Sequence, residues 1–318
     1  MGYLAGETIL DDEYNAFVNN SSSPFGYNHF AGTGSAQYGL GQTAIPTVIT
    51  GGTIKASQWN ALLTGMDNIA NHTNDSLTAR TQVDAGSTIA IKNAVAADLA
   101  TLAASVAGGC VNATALTDNS LRTVTTGSAG WDSTATHETS VTFASADIMR
   151  HYFNAGGKIR CNIGVSGSVN GDKDTVYTDL GTGLGNLDIG ALTTTRSGST
   201  ETLTTNGLSN GFHDLGTGYT SLIKLTSDNS NYTSNNVEIF AKLNAAVGTA
   251  VTITVKFVWT DGASDATFDS PNTSGVPSDN RTTPQVTSTV IERHPTDAQG
   301  LAAAIQSSSN AEVSNSTS

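Results

Sequence analysis

Residues 145–166 read Ser145-Ala-Asp-Ile-Met-Arg-His-Tyr-Phe-Asn-Ala-Gly-Gly-Lys-Ile-Arg-Cys-Asn-Ile-Gly-Val-Ser166. Ser145 can cap the start of a helix, and Asp147 lies in the first turn, where the helix dipole favours a carboxylate. The apolar residues that follow have helical spacing, and the paired glycines can adopt the left-handed conformation that ends a helix. This stretch therefore predicts a short helix that stops at Gly156 and Gly157.

After the glycines, apolar and polar side chains alternate with the period of a half-buried strand. The apolar positions are Ile159, Cys161, Ile163 and Val165. The predicted secondary structure changes along the chain at this junction of a helix and a strand. The sequence before this stretch predicts small helices and turns, and the sequence after it predicts a β domain.

The composition limits the classes of function. The chain has 318 residues, of which 37% are hydrophobic and only 13% charged, and 14 basic residues against 27 acidic ones give a net charge of -13. We expect no nucleic-acid partner and no anionic membrane surface, because no basic stripe exists. No apolar run is long enough for membrane insertion, and no signal-peptide pattern begins the sequence. We therefore expect synthesis in a cytosol, with Cys110 and Cys161 as free thiols.

The first part of the chain contains an internal repeat, in which residues 6–18 match residues 51–63. Each copy predicts a short extended piece followed by a helix with one apolar face. The N-cap candidates are Asp11 or Asp12 in the first copy and Ser57 in the second. Two copies are too few for a solenoid, so we expect them to pair with each other or with other subunits. The assembly residues predicted in the second copy are Trp59 and Leu62.

Residues 93–107 predict the clearest helix. Its apolar side chains are spaced by four, three and four residues, as in a two-heptad seam. Two interpretations stay open: the helix packs on its own domain, or it forms a short coiled coil on an oligomer axis. The second interpretation predicts assembly contacts at Leu99, Leu102 and Val106, next to Val95 in the seam.

The second part of the chain predicts a β domain. The segments with strand signals are 121–126, 139–143, 158–165, 219–225, 237–243, 251–260 and 285–293. Short strands separated by turn residues, without long helices between them, are typical of an antiparallel sandwich. We therefore predict an α+β fold, with a small helical N-terminal region (1–120), a mainly antiparallel β-sandwich domain (121–294) and a polar tail (295–318). The tail would be disordered alone and, if ordered, would have to dock on a neighbour.

Residues that could carry chemistry are scattered. The six histidines show no zinc-site spacing. Two acidic groups invite a calcium interpretation but lack the twelve-residue loop with a closing glutamate, so we expect solvated turns there. These acids are Asp172, Asp174 and Asp179, and Asp261, Asp265 and Asp269. No nucleophile elbow occurs, while paired glycosidase carboxylates stay open because their separation is set in space. We predict no catalytic, cofactor-binding or metal-binding residues and a non-enzymatic protein.

Four parts of the sequence resemble one family, the structural proteins of tailed bacteriophages, notably those that infect marine cyanobacteria. The first is Phe153-Asn-Ala-Gly-Gly-Lys-Ile-Arg160, a helix end followed by a strand. The second is a tyrosine- and glycine-rich loop ending at Gln42, followed by Gly51-Gly-Thr-Ile54 and Trp59-Asn-Ala-Leu62. The others are the strand pair at residues 251–261 and 286–294. The resemblance covers roughly residues 6–70 and 141–294.

The resemblance implies a virion protein of the tail or neck, fibre-like and acting in assembly and in host attachment. It implies a symmetric homo-oligomer such as a trimer, contacts with other virion proteins and a host surface receptor. A capsid decoration protein, a secreted bacterial adhesin or surface-layer module, and a sugar-degrading tailspike are the alternatives. The missing signal peptide speaks against the adhesin, and the absence of repeated coils in the sequence speaks against the tailspike.

Overall fold

The computed structural model describes most of the chain, and the described residues cluster into two compact units. The described ranges are 9–34, 39–87, 92–113, 116–126, 131, 133–166, 172–230, 232–263, 284–295, 301 and 308–317. Unit 1 comprises the described residues of Met1–Thr117, Ser145–Gly157 and His294–Gln306. Unit 2 comprises those of Asp118–Ala144, Lys158–Arg293 and Ser307–Ser318. Both units are discontinuous in sequence, whereas the sequence predicted continuous ranges. Within residues 145–166, the helix belongs to unit 1 and the strand belongs to unit 2.

Unit 1 is helical. Its helices are α1 (Asp11–Asn19), α2 (Tyr27–Ala31), α3 (Ala56–Thr73), α4 (Lys92–Ala107) and α5 (Ala146–Asn154). The predicted cap of α5 is confirmed, because the hydroxyl of Ser145 accepts a hydrogen bond from the Ile148 amide at 3.2 Å. Gly156 has a φ of 92°, in the left-handed region expected of a helix stop. The predicted caps of α1 and α3 are wrong, because these helices follow Leu10 and Lys55.

Equivalent side chains replace the predicted caps in the two repeat copies. The amide of Leu10 donates to a carboxylate oxygen of Glu13 at 3.4 Å, and the amide of Lys55 donates to the side-chain oxygen of Gln58 at 2.9 Å. Glu13 and Gln58 occupy matching positions in the two copies. The sequence signal for the start of these two helices is therefore a carboxylate or amide side chain in the first helical turn, and not a polar residue before that turn.

Unit 2 is built from two antiparallel sheets and a helix, α6 (Asp172–Leu184). The strands are β1 (Leu116–Thr125), β2 (Thr134–Phe143), β3 (Lys158–Ser166), β4 (Leu187–Ile189), β5 (Thr194–Arg196), β6 (Thr202–Asn206), β7 (Thr220–Thr226), β8 (Asn236–Leu243), β9 (Thr252–Thr260), β10 (Gln285–Pro295) and β11 (Ser308–Thr317). The five-stranded sheet has the order β1-β10-β3-β4-β5, and the six-stranded sheet has the order β11-β2-β9-β8-β7-β6. The predicted α+β fold with an antiparallel sandwich is confirmed.

Alternating burial defines the inner faces of the sheets. On β2 and β9, every second residue is buried, and the two strands pair in register from Thr134 with Thr260 to Thr142 with Thr252. The predicted hairpin of β8 and β9 is confirmed by the antiparallel pairing of Asn236 with Thr260 and Leu243 with Ile253. Apolar side chains from both sheets therefore form the core between them.

One prediction for unit 2 is wrong. Residues 172–184, expected to begin in a solvated turn, form α6, which buries Val176, Leu180 and Leu184 along one face. The polar tail, expected to be disordered alone and to dock on a neighbour if ordered, contributes β11, which pairs antiparallel with β2. In both places the polar composition concealed regular structure.

Candidate functional site

The five predicted assembly residues lie inside unit 1. Trp59, Leu62, Leu102 and Val106 have no exposed surface, and Leu99 is 2% exposed. A side chain without exposed surface cannot contact a second copy unless the unit opens. The structure thus shows the first interpretation of α4, in which the helix packs on its own domain. These five side chains therefore form no assembly surface while unit 1 is folded.

Both repeat copies use an asparagine to hold an extended segment. Asn15 Nδ2 donates to the Val48 carbonyl at 2.8 Å, and the Val48 amide donates to Asn15 Oδ1 at 2.9 Å. Asn60 forms the same pair of bonds with Val83, each at 2.9 Å. Each held residue lies three positions before a glycine with positive φ, Gly51 or Gly86. We call these two arrangements the asparagine clamps.

The sequence contains a signal for the second clamp. Gly86-Ser-Thr-Ile89 repeats the Gly51-Gly-Thr-Ile54 opening before α4. Each clamp therefore holds the residue that lies three positions before this Gly-x-Thr-Ile motif. A third asparagine, Asn28, makes the same bonds with Ile45, at 2.9 and 2.8 Å, without belonging to the repeat.

The two copies differ beside the clamps. The hydroxyl of Tyr14 donates to the Pro46 carbonyl at 3.1 Å. Trp59 occupies the matching position, and its buried Nε1 has no hydrogen-bond partner among the described residues. Trp59 lines a cleft of about 280 Å³ between residues 53–56 and residues 83–87, with Lys55 and Asp84 exposed at its walls. The second copy therefore keeps an unused donor where the first uses its own chain.

The motif at the end of α5 also holds main chain in unit 1. Asn154 Nδ2 donates to the Gly39 carbonyl at 3.1 Å. The Nε2 of buried His72 lies 2.7 Å from the Ala155 carbonyl. A Cβ added at Gly156 would come within 3.1 Å of the Cys110 carbonyl. The polar groups of this motif thus fix the fold of unit 1.

A buried polar cluster lies between the sheets of unit 2. His137 Nδ1 is 2.8 Å from the Ser288 hydroxyl, and Trp259 Nε1 donates to the same hydroxyl at 3.3 Å. All three residues have no exposed surface. Burial lowers the pKa of His137 to about 4, partly offset by the Glu312 carboxylate, so the imidazole is neutral at neutral pH. This serine and histidine cannot reach a substrate and act as a cross-link between the sheets.

The predicted calcium acids are distributed differently. Asp261 forms a buried ion pair with Lys173 of α6 at 2.8 Å. Asp265 and Asp269 lie outside the described residues, as do the side chains of Asp172 and Asp174. Asp179 is exposed on α6. Within the part of the chain that the structure describes, no group of three or more His, Cys, Asp or Glu residues could hold a metal ion.

The outer face of the six-stranded sheet carries two lysines over one aromatic ring. The ammonium groups of Lys242 and Lys256 lie 4.2 and 4.0 Å from the centroid of the Tyr219 ring. Lys256 also lies 4.8 Å from the centroid of Phe240. Burial, followed by the Glu138 carboxylate, raises the pKa of Tyr219. These contacts are cation–π interactions that fix long side chains flat on the sheet.

Both cysteines are free thiols, as predicted, and both are buried. Burial raises the pKa of both, that of Cys110 to about 12. Cys110 belongs to unit 1 and Cys161 to unit 2. Neither is available as a thiolate nucleophile at neutral pH.

No family model, curated protein or solved structure matches this chain. The resemblance to phage structural proteins therefore stays a prediction. Among the described residues, no helix is long and apolar enough to cross a membrane.

Proposed function

We propose that the chain is a non-enzymatic structural protein of a tailed bacteriophage virion, a tail- or neck-attached, fibre-like component. In this proposal it assembles as a homo-oligomer with other virion proteins and takes part in host attachment. The virion carries the protein out of the cytoplasm in which it is made. No nucleic-acid or membrane contact belongs to the proposal.

The observation that carries this proposal is that the motifs with the family resemblance bind and shape the main chain. In Trp59-Asn-Ala-Leu62, Asn60 clamps the main chain at Val83. In Phe153-Asn-Ala-Gly-Gly157, Asn154 holds the Gly39 carbonyl, and Gly156 forms the helix stop. Catalytic motifs bring reactive side chains to an accessible cleft. These motifs instead stabilise backbone, which is what a structural protein requires.

The outer face of the six-stranded sheet supports the same proposal. Hydroxyl side chains alternate there with the buried positions of β2 and β9. They are Thr134, Thr136, Ser140, Thr142, Thr252, Thr254 and Thr260. A face rich in hydroxyl groups makes contacts by shape and hydrogen bonds. Such contacts persist at high ionic strength, where charge steering is screened.

Immunogold electron microscopy on purified virions of the encoding phage tests the proposal, with antibody raised against the full chain. We expect gold at the tail or neck, and label that disappears when the antibody is first absorbed with purified protein. Gold spread evenly over the head would replace the tail placement with a capsid decoration role. Virions without gold, when the same antibody detects the protein in lysates, would overturn the virion proposal.

A further inference from the structure

The last described strand, β11, lies at an edge of the six-stranded sheet and pairs there with β2. The register runs from Ser308 opposite Phe143 to Thr317 opposite Ala135, with a bulge between Glu312 and Ser314. Such pairing depends on main-chain hydrogen bonds that are the same in every copy of the chain. These hydrogen bonds therefore do not distinguish the β2 strand of the same chain from the β2 strand of another copy.

The side chains of β11 contribute little to the core of unit 2. Where side-chain exposure is described, only Ser314 is half-buried and the rest are exposed, namely Ser309, Ala311, Glu312, Val313, Asn315, Ser316 and Thr317. On β2, in contrast, every second residue is buried. Hydrophobic burial scales with the apolar area removed from water, so β11 adds little to it. Removing this strand would leave the apolar core between the sheets almost unchanged.

Two side-chain contacts connect β11 to β1 of the five-stranded sheet. The Arg122 guanidinium pairs with the Glu312 carboxylate, and Asn315 Nδ2 donates to the Thr125 carbonyl at 2.9 Å. Leu121 and Val313, next in sequence to the ion pair, are 60% and 53% exposed. The edge thus combines charge complementarity with exposed apolar side chains, and a second copy supplies the same groups.

Leu301 is the described residue between β10 and β11 in the sequence. It belongs to unit 1 and is 1% exposed, and Ser308 begins β11 seven residues later. Seven residues span at most about 25 Å. A β2 strand of another copy within that reach is as accessible to β11 as the β2 strand of its own chain.

We propose that, in the assembled protein, β11 of one copy pairs with β2 of a second copy. Strand exchange of this kind adds an interface without new contacts, because each copy keeps the ladder that it has alone. High local concentration in an oligomer then favours the intermolecular arrangement. The inference rests on the oligomeric part of the proposed function and is independent of the place in the virion.

Cysteine cross-linking in trans tests the exchange. Ser140 of β2 and Ala311 of β11 are register partners, and both native cysteines are buried. Full-length Ser140→Cys and Ala311→Cys chains with different tags are co-expressed and oxidised, and the products are separated without reductant. We expect a disulfide-linked species that carries both tags and collapses to single chains on reduction. A second pair, Thr136→Cys with Ser316→Cys, repeats the test if the first variants do not fold.

The matched control uses a pair of neighbouring strands that should not exchange. Thr142 of β2 and Thr252 of β9 are register partners whose hydroxyl oxygens lie 3.0 Å apart. Co-expressed Thr142→Cys and Thr252→Cys chains should give no species that carries both tags. The exchange is overturned if the β11 pairs behave like this control while doubly substituted chains cross-link within themselves. That result would leave the virion placement to the gold-labelling experiment.

Discussion

Unit 1 and unit 2 fix their backbones by different means. In unit 1, long segments without regular structure are held by single amide side chains, as Asn15 holds Val48 and Asn60 holds Val83. In unit 2, ladders of main-chain bonds run along whole strands, as between β2 and β9. The difference teaches where each unit is vulnerable. Unit 1 should depend on amide side chains such as Asn60, whereas unit 2 should depend on polar side chains only where they are fully buried, as in the Lys173–Asp261 ion pair.

The strongest test of this comparison is the Lys173–Asp261 ion pair, an interaction in unit 2 between two side chains that are each 2% exposed. Lys173→Ala would leave a buried carboxylate without its cation, which typically costs about 3–5 kcal/mol. We expect a loss of that size in the free energy of unfolding of unit 2. Chemical denaturation followed by tryptophan fluorescence measures it, with Trp131 and Trp259 reporting on unit 2 and Trp59 on unit 1.

The matched control is the half-buried pair Lys224–Glu238 in the same unit, at 3.8 Å and with side chains 34% and 22% exposed. Lys224→Ala should change stability by less than about 1 kcal/mol. Lys173→Met combined with Asp261→Leu should recover much of the loss, because apolar replacement of a whole buried pair is often neutral or stabilising. Equal effects of the two lysine substitutions would contradict the argument from burial.

The second test removes a clamp. Asn60→Ala leaves the half-buried amide and carbonyl of Val83 without their partner, and we expect unit 1 to lose about 2 kcal/mol. Hydrogen exchange at the Val83 amide should accelerate most. Asn15→Ala should reproduce the effect at Val48, while Asn93→Ala, at an exposed position of α4, should leave both amides protected. Unchanged exchange at Val83 would show that the clamp does not hold its segment.

The same contrast explains how much of the fold the sequence could predict. Alternation identified β3, β8, β9 and β10 because burial on one face leaves a period of two in the sequence. The Ser145 cap and the glycine stop of α5 were predicted because both signals are local. Where the residues of an element determine its structure by themselves, the sequence is sufficient to predict that element.

Long-range side-chain contacts were not predictable. The residues around Asn60 do not indicate that its partner lies 23 residues away, and the repeat at Gly86-Ser-Thr-Ile89 marks the held segment without identifying the side chain that holds it. The strand β11 was missed because main-chain pairing needs no apolar pattern, and α6 was missed because Gly and Thr concealed the spacing of Val176, Leu180 and Leu184. The five predicted assembly residues had the right apolar spacing, but spacing does not distinguish a core face from an interface.

The third test compares one histidine in each unit by pH. Burial lowers the pKa of His137 in unit 2 and of His151 in unit 1 to about 4, with Arg150 adding to the shift of His151. The unfolded chain therefore binds more protons between about pH 6.5 and pH 4, so stability falls as the pH falls through that window. We expect a loss of about 2 kcal/mol per histidine at pH 5.

The measurement is the unfolding free energy of each unit at pH 7 and pH 5. His137→Gln should reduce the acid sensitivity of unit 2 alone, and His151→Gln that of unit 1 alone. If either substitution removed the acid sensitivity of both units, the units would not be energetically separate. The two units would then unfold together, and their stabilities could not be attributed to different interactions.

The smallest expected effect lies at the edge of unit 2. The side chains of Arg122 and Glu312 are 42% and 34% exposed, so Glu312→Gln should change the stability of an isolated chain by less than about 0.5 kcal/mol. Hydrogen exchange along β11 should nevertheless accelerate, because this pair is one of the few side-chain interactions that the strand makes. If the exchange rates of β11 and β9 rose together, β11 would be integral to the sandwich. Acceleration confined to β11 would mean that the ladder holding this strand opens by itself, which is the property that pairing with a second copy requires.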